Sequence, residues 1–299
     1  MTAVQLNQDT PLDIHDAVTD ALIEQYKRDG FAILRNALTA EEVAQINDEA
    51  LRLCRGELGE ITGAVQAGPE ESDEDVMRRI LCIHFPDAVS EVARAALHNP
   101  RIVQVLTKVI GPNVKAMQSM LFIKSEGKPG QAWHQDEHFI PTRDRSLAGV
   151  WIALDDATIE NGCLWVLPGS HQRGVLYPDR DTEDSRFDCT SEAFNFPYTD
   201  EQAVPVQIPA GAAIIFNGYL LHRSLENSGK HGYRRALANH YMSAESLLPW
   251  GVLPEGEWVA GFDNRRVEMV AGVDPYAYKG IVPRATPHVR QDRDGGCDR

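Results

Sequence analysis

The sequence predicts a mainly β fold with flanking helices, of the sandwich or jelly-roll type. Two observations carry this prediction. After Gly111-Pro112 the chain breaks into short β-rich runs, "VKAMQSMLFIK", "SLAGVWIALDD", "CLWVLPGSH", "VPVQIPAGAAIIFNG" and "RRALANHYMS", punctuated by Gly, Pro, Asn and Asp. Before it, apolar residues recur at helical spacing between recognisable caps. Short strands with frequent turns favour two packed sheets over a parallel α/β sheet. The helical first third is expected to pack on one outer face, within a single domain over 1–299.

The elements follow in order. "TDALIEQYKRDGFAIL" reads as a helix closed by Gly30, then a short strand from Phe31 to Leu34. "LTAEEVAQINDEALRLC" opens on a capping box, Thr39 with Glu42, and carries Val43, Ile46, Ala50 and Leu53 on one helical face. Residues 56–75 lose periodicity, gain Gly and acid, and read as a loop. "DAVSEVARAALHNPRIVQVLTKVIG" reads as two short helices parted by Asn99-Pro100. Within the β region, Asn161-Gly162 is a hairpin signal. Residues 172–205 form a second long polar insertion, of the kind that serves as a lid. Residues 286–299 read as a disordered tail.

Composition removes several classes of function. The 299 residues are long enough for a sizeable core, and 43% apolar with 24% charged is ordinary for a globular chain. No run approaches the roughly 20 apolar residues that span a bilayer. The polar, acidic start lacks a secretory pattern, so a cytoplasmic location is expected. A net charge of −15 repels nucleic acid and anionic membranes, which argues against either as a general partner, though a local basic pocket is compatible with it. Oligomeric state is not legible. Cys54, Cys82, Cys163, Cys189 and Cys297 are odd in number, widely spaced and form no CxxC, against a disulfide framework or zinc-thiolate site.

"AWHQDEHFIP" holds the densest cluster of candidate ligands. On a strand, residues i and i+2 share a face, so His134 and Asp136 can converge on one divalent ion. His138 shares the alternation and spacing does not exclude it. A further histidine must come from elsewhere, and His222 follows a buried apolar strand bracketed by Gly211 and Gly218. Two His and one carboxylate form the facial set of non-haem Fe(II) oxygenases. Arg234 opens the next strand, where its guanidinium suits a two-point grip on a co-substrate carboxylate.

The stretch "GPNVKAMQSMLFIK…AWHQDEHF…VWIALDDATIENGCLWVLPGSH…LLHRSLENSGKHGYRRAL" closely resembles the phytanoyl-CoA dioxygenase family of Fe(II)/2-oxoglutarate-dependent oxygenases. It covers about residues 108–242, with a weaker match at "YKRDGFAILRNALTAEEV". The resemblance implies a double-stranded β-helix (jelly-roll, cupin-like) core, with His134, Asp136 and His222 as iron ligands. It implies Arg234 on the distal carboxylate of 2-oxoglutarate with Ser224 beside it, and Met120, Gln135 and Trp151 along the co-substrate pocket. Met120 and Trp151 serve equally as core residues. His138 becomes a pocket or supporting residue. His171 is read as a turn residue, Arg235 as pointing away from Arg234 into solvent or a salt bridge, His231 as surface and His240 as core.

The activity implied is oxidative: Fe(II), 2-oxoglutarate and O2 consumed with release of succinate and CO2 as a substrate C–H is hydroxylated. Related halogenases replace the carboxylate ligand by a small residue, so Asp136 favours hydroxylation over halogenation. Desaturation, ring formation and epoxidation share the same chemistry. No basic cluster for a coenzyme A tail is evident in this acidic chain, which favours a free small molecule over an acyl-CoA. Arg143 and Arg145 follow the HxD segment and are candidates for an anionic substrate, against a solvated loop partnered by Asp144. Specificity is expected in residues 56–79 and 172–205. The rival functions are a 2-oxoglutarate-independent metal enzyme on the same barrel, an acyl-CoA 2-hydroxylase, and a catalytically silent binding protein.

Overall fold

The computed structural model describes residues 11–182, 184, 186–188, 191–230 and 232–290. Cys189, Cys297 and His231 lie outside the described residues. In the first third, β1 (Ile14–His15), α1 (Asp20–Asp29), β2 (Phe31–Leu34), α2 (Ala40–Cys54), α3 (Asp73–Arg78), β3 (Cys82–His84), α4 (Glu91–Leu97) and α5 (Pro100–Val109) follow one another. Then come β4 (Val114–Lys124), β5 (Gln131–His134), α6 (Asp136–Phe139), β6 (Ala148–Ala153), β7 (Leu164–Val166), β8 (Asp179–Asp181) and β9 (Ser191–Ala193). The remainder is β10 (Val204–Val206), β11 (Ala213–Asn217), β12 (His222–Ser224), β13 (Arg234–Ser243), β14 (Glu268–Ala271) and β15 (His288–Arg290). No helix among the described residues is long and apolar enough to cross a membrane.

Local chemistry sets the helix boundaries. The hydroxyl of Thr19 accepts from Leu22 N at the start of α1, and Gly30 ends it in the left-handed region at φ 85°. At α2 the capping box forms as expected: Glu42 N donates to Thr39 Oγ1 (3.2 Å) and Thr39 N to Glu42 Oε2 (2.6 Å). Asn99 caps α5 through its side chain, and Pro100 takes the first helical position, where no amide donor is needed.

Two sheets face each other in a double-stranded β-helix, or jelly roll. The large sheet runs β1-β2-β11-β6-β13-β4-β3-β15, with β14 also on β4; the small one runs β10-β7-β12-β5. Period-two alternation assigns the faces. Ala148, Val150 and Ile152 of β6, Ala213 and Ile215 of β11, and Leu237 and Tyr241 of β13 face outward under α1, α2, α4 and α5. Trp151, Ile214, Phe216, Ala236 and Ala238 face inward against Trp165, Val166 and Leu221 from the small-sheet side. Burying each large apolar side chain contributes about 1.5–3 kcal/mol.

Four expectations are corrected. Beyond the expected strand β2, which pairs with β11, the first third also supplies β3, which joins the large sheet on β4. Asn161-Gly162 forms a turn but no hairpin, because β6 belongs to the large sheet and β7 to the small one. The insertion 172–205 carries its own hairpin, β8 with β9. The expected tail begins too early: His288–Arg290 pair antiparallel with Cys82–His84, while residues 291–299 lie outside the described residues.

Candidate metal centre and co-substrate pocket

The small sheet brings the first histidine pair together. β12 and β5 are antiparallel neighbours with His222 opposite His134. β5 ends at His134, and Asp136 opens the one-turn helix α6 instead of continuing a strand as the sequence suggested. The extended Gln135 between them (φ −128°, ψ 128°) preserves the i, i+2 relation, so His134 and Asp136 still share a face. Asp136 Oδ1 lies 3.6 Å from His134 Nε2 and 3.5 Å from His222 Nε2. One ligand atom from each of the three falls within 4.8 Å of the others, and all three residues are buried.

The surrounding hydrogen bonds set the chemistry of these atoms. His134 Nδ1 donates to the Ala132 carbonyl (2.8 Å) and His222 Nδ1 to the Leu220 carbonyl (3.0 Å). A carbonyl only accepts, so each Nδ1 carries a proton and each Nε2 is the ring atom left facing Asp136 as the candidate ligand. Burial, reinforced by His222, pushes the His134 imidazole down to about 3 and keeps it neutral. Burial alone would raise the Asp136 carboxyl, but His222 and His240 hold it below the usual carboxylate range. His240 Nε2 donates to Asp136 Oδ2 (3.0 Å), which leaves Oδ1 facing the two histidines. Two neutral imidazoles and a carboxylate fit a divalent ion such as Fe(II).

These residues open onto a cavity of about 630 Å³. Met120, Trp151, Ser224 and Arg234 line it. Met120 and Trp151 belong at the same time to the core between the sheets. Arg234 is 2% exposed, and among the described residues its Nε has no hydrogen-bond partner. Its guanidinium carbon lies 5.3 Å from the Trp151 ring centroid. Burial lowers its pKa to about 10, so it remains a cation at neutral pH. A buried cation with an unanswered donor, facing a cavity, fits an anionic ligand.

Other assignments are corrected. Gln135 faces away from the cavity: its Nε2 donates to the carbonyls of Val175 (2.9 Å) and Tyr219 (2.8 Å), and its Oε1 accepts from Tyr177 N (2.9 Å). It ties the 172–178 segment to the barrel. His138 turns outward to Asp179 on β8 (3.5 Å), and Arg143 is exposed and donates to the Val259 carbonyl (2.6 Å). Neither lines the cavity. Two readings agree with the structure: Arg235 points away from Arg234 into a two-point salt bridge with Asp155, and His171 sits in a turn with its Nε2 3.1 Å from the Lys27 carbonyl.

The sequence reading missed His240 as a site residue. The signal was present, since 234, 236, 238 and 240 share one face of β13. It also missed His84, Gln118, Trp250, His288 and Arg290, which form the far wall of the cavity. The His84 and His288 rings stack at 4.7 Å and 4°. Arg290 pairs with Asp188 (2.7 Å), joining β15 to the second insertion.

The sequence profile of the family described as Phytanoyl-CoA dioxygenase (PhyH) matches residues 26–236. The chain belongs to this family. Phytanoyl-CoA dioxygenase 1 from Oryza sativa subsp. japonica is 37% identical over 131 residues, 43% of this chain and 45% of that protein. The matched stretch thus spans about half the length of the first curated relatives. Among solved structures, the non-heme monooxygenase ThoJ in its apo form superposes with a TM-score of 0.63 at 23% identity, covering 92% of this chain and 91% of that one. The epimerase SnoN from nogalamycin biosynthesis, in complex with Fe3+, alpha-ketoglutarate and nogalamycin RO, gives 0.59 at 24% identity over 80% and 91%. At these identities the likeness establishes the shared jelly-roll fold.

Proposed function

We propose that this family member is an Fe(II)- and 2-oxoglutarate-dependent oxygenase that hydroxylates, or otherwise oxidises, an unactivated C–H of a small organic molecule, releasing succinate and CO2. One observation carries the reading: a buried His134–Asp136–His222 cluster lines one cavity with a buried Arg234 whose Nε has no hydrogen-bond partner among the described residues. His134, Asp136 and His222 would hold the metal, with their tautomers and charge already set by Ala132, Leu220 and His240. Arg234 and Ser224 would orient 2-oxoglutarate by its distal carboxylate. Trp151, Met120, Phe216 and Leu164 would keep water from the reacting atoms. When bound, iron supplies the redox chemistry that couples decarboxylation of the co-substrate to attack on the C–H bond. Support for both cofactors comes from SnoN, whose complex contains Fe3+ and alpha-ketoglutarate on the same fold.

The substrate we favour is a free small molecule of the natural-product type, with no nucleic-acid or membrane partner and a cytoplasmic location. Among the described residues, the cationic side chains lining the cavity are Arg234 and Arg290, and Arg290 already pairs with Asp188. No cation there is left for a phosphate-bearing tail. A second reading, an acyl-CoA 2-hydroxylase, is supported by the name shared by the family and the rice relative. Succinate release in the presence of Fe(II), 2-oxoglutarate and O2 tests the proposal, with panels of acyl-CoA thioesters and uncharged natural products separating the two readings. Asp136→Ala should abolish turnover; full activity in that variant would remove the metal assignment.

A further inference from the structure

Lys124 is a buried amine that the site described so far does not use. It ends β4 directly opposite Arg234 of β13 and is 2% exposed. Its Nζ donates to Ser224 Oγ (3.2 Å) and to the Leu225 carbonyl (2.6 Å). It does not line the cavity, whereas Ser224 and Arg234 do. The turn at Gly162 makes room for it: a Cβ there would sit 3.1 Å from Nζ and 2.3 Å from the Leu225 carbonyl oxygen. Asn227 Nδ2 donates to the Lys124 carbonyl (2.9 Å) and fixes the backbone.

The consequence falls on Ser224. A serine hydroxyl has two acceptor lone pairs and one proton to give. Ser224 Oγ accepts from Lys124 Nζ and from Gln131 N, both at 3.2 Å. Both lone pairs are therefore taken, and the O–H is left to donate, from a residue on the cavity wall near Arg234.

We propose, building on the co-substrate reading above, that Lys124 is a positioning residue for 2-oxoglutarate: it occupies a lone pair of Ser224 so that the hydroxyl donates to the distal carboxylate alongside Arg234. Burial, then the nearby Arg234, lowers the pKa of the Lys124 amine well below the ordinary lysine value. In either protonation state the amine has the two N–H groups used in these contacts. Lys124 also gives the Asn161-Gly162 turn a role that its sequence signal did not reveal.

The test is calorimetric titration of the Mn(II)-loaded protein with 2-oxoglutarate and with 2-oxobutyrate, a 2-keto acid that lacks the distal carboxylate. Lys124→Met should weaken 2-oxoglutarate binding about tenfold, the scale of one hydrogen bond to a charged group, and leave Mn(II) and 2-oxobutyrate affinities within about twofold. Ser224→Ala should show the same selective loss, and the double variant should be no weaker than Ser224→Ala alone. Equal losses for both keto acids, an unchanged 2-oxoglutarate affinity, or additive losses in the double variant overturn the proposal. If Lys124→Met does not fold, Lys124→Gln carries the test with a shorter donor and the same expected selectivity. Wild-type protein that binds Mn(II) but not 2-oxoglutarate overturns the functional reading itself, a result distinct from any variant-specific failure.

Discussion

Arg234→Met separates function from stability. In the free protein the guanidinium is buried and its Nε has no partner among the described residues, a condition that costs on the order of 1–3 kcal/mol. The Trp151 ring at 5.3 Å returns part of this, about 1–2 kcal/mol for a desolvated cation over an indole. Methionine removes both terms and keeps an apolar stem in place. The balance is a free protein as stable as wild type or more stable by about 1 kcal/mol, equivalent to about 2 °C in Tm for a chain of this size. The ligand side moves the other way. Two charge-assisted hydrogen bonds to a carboxylate contribute at least about 3 kcal/mol, so 2-oxoglutarate affinity should fall by a factor on the order of 10². Differential scanning fluorimetry with Mn(II), with and without 2-oxoglutarate, reads both effects. Wild type at 100 Kd of co-substrate gains about 2.7 kcal/mol, and Arg234→Met, at about 1 Kd under the same conditions, should gain only about 0.4 kcal/mol. A variant several kcal/mol less stable, with its co-substrate shift intact, would refute the assignment of Arg234 as a binding cation.

Two further outcomes follow from the same geometry. His240→Phe frees Asp136 Oδ2 from its donor at 3.0 Å, and metal affinity measured by equilibrium dialysis should fall about 10–100-fold, while His240→Gln should retain part of it. His84 is held down to about 3 by burial and by His288, against an unfolded value near 6.5. Its folded pKa is depressed, so its contribution is intact above about 6.5 and lost as pH falls toward 3, at about 1.4 kcal/mol per pH unit. His84→Phe should therefore lose about 1.4 kcal/mol less than wild type between pH 7.5 and 5.5 in urea denaturation, and identical pH profiles would contradict this.

Much of the architecture was legible because it is local. The Thr39–Glu42 box, the Gly30 cap and the Asn99-Pro100 break act within one helical turn, and the alternation in β6, β11 and β13 records which face each residue buries. The His134–Asp136–His222 cluster was legible from HxD and a distant histidine, since the extended Gln135 keeps the i, i+2 relation even though the strand stops at His134. Gln135 misled for the same reason: alternation that brings its neighbours inward sends its own amide to Val175, Tyr177 and Tyr219. The far wall was not legible. β15 pairs with β3 across about two hundred residues, and neither three-residue strand has a pattern that announces its partner. That pairing brings His288 against His84 and Arg290 within reach of Asp188.

The central claim is that His134, Asp136 and His222 hold Fe(II) beside a site for 2-oxoglutarate. The most direct measurement is the anaerobic visible spectrum of metal-free protein titrated with Fe(II) and then 2-oxoglutarate. The account predicts a weak charge-transfer band that requires both additions and is lost in Asp136→Ala. Iron that binds with no band on adding 2-oxoglutarate would contradict it and point to a different metal chemistry on this fold.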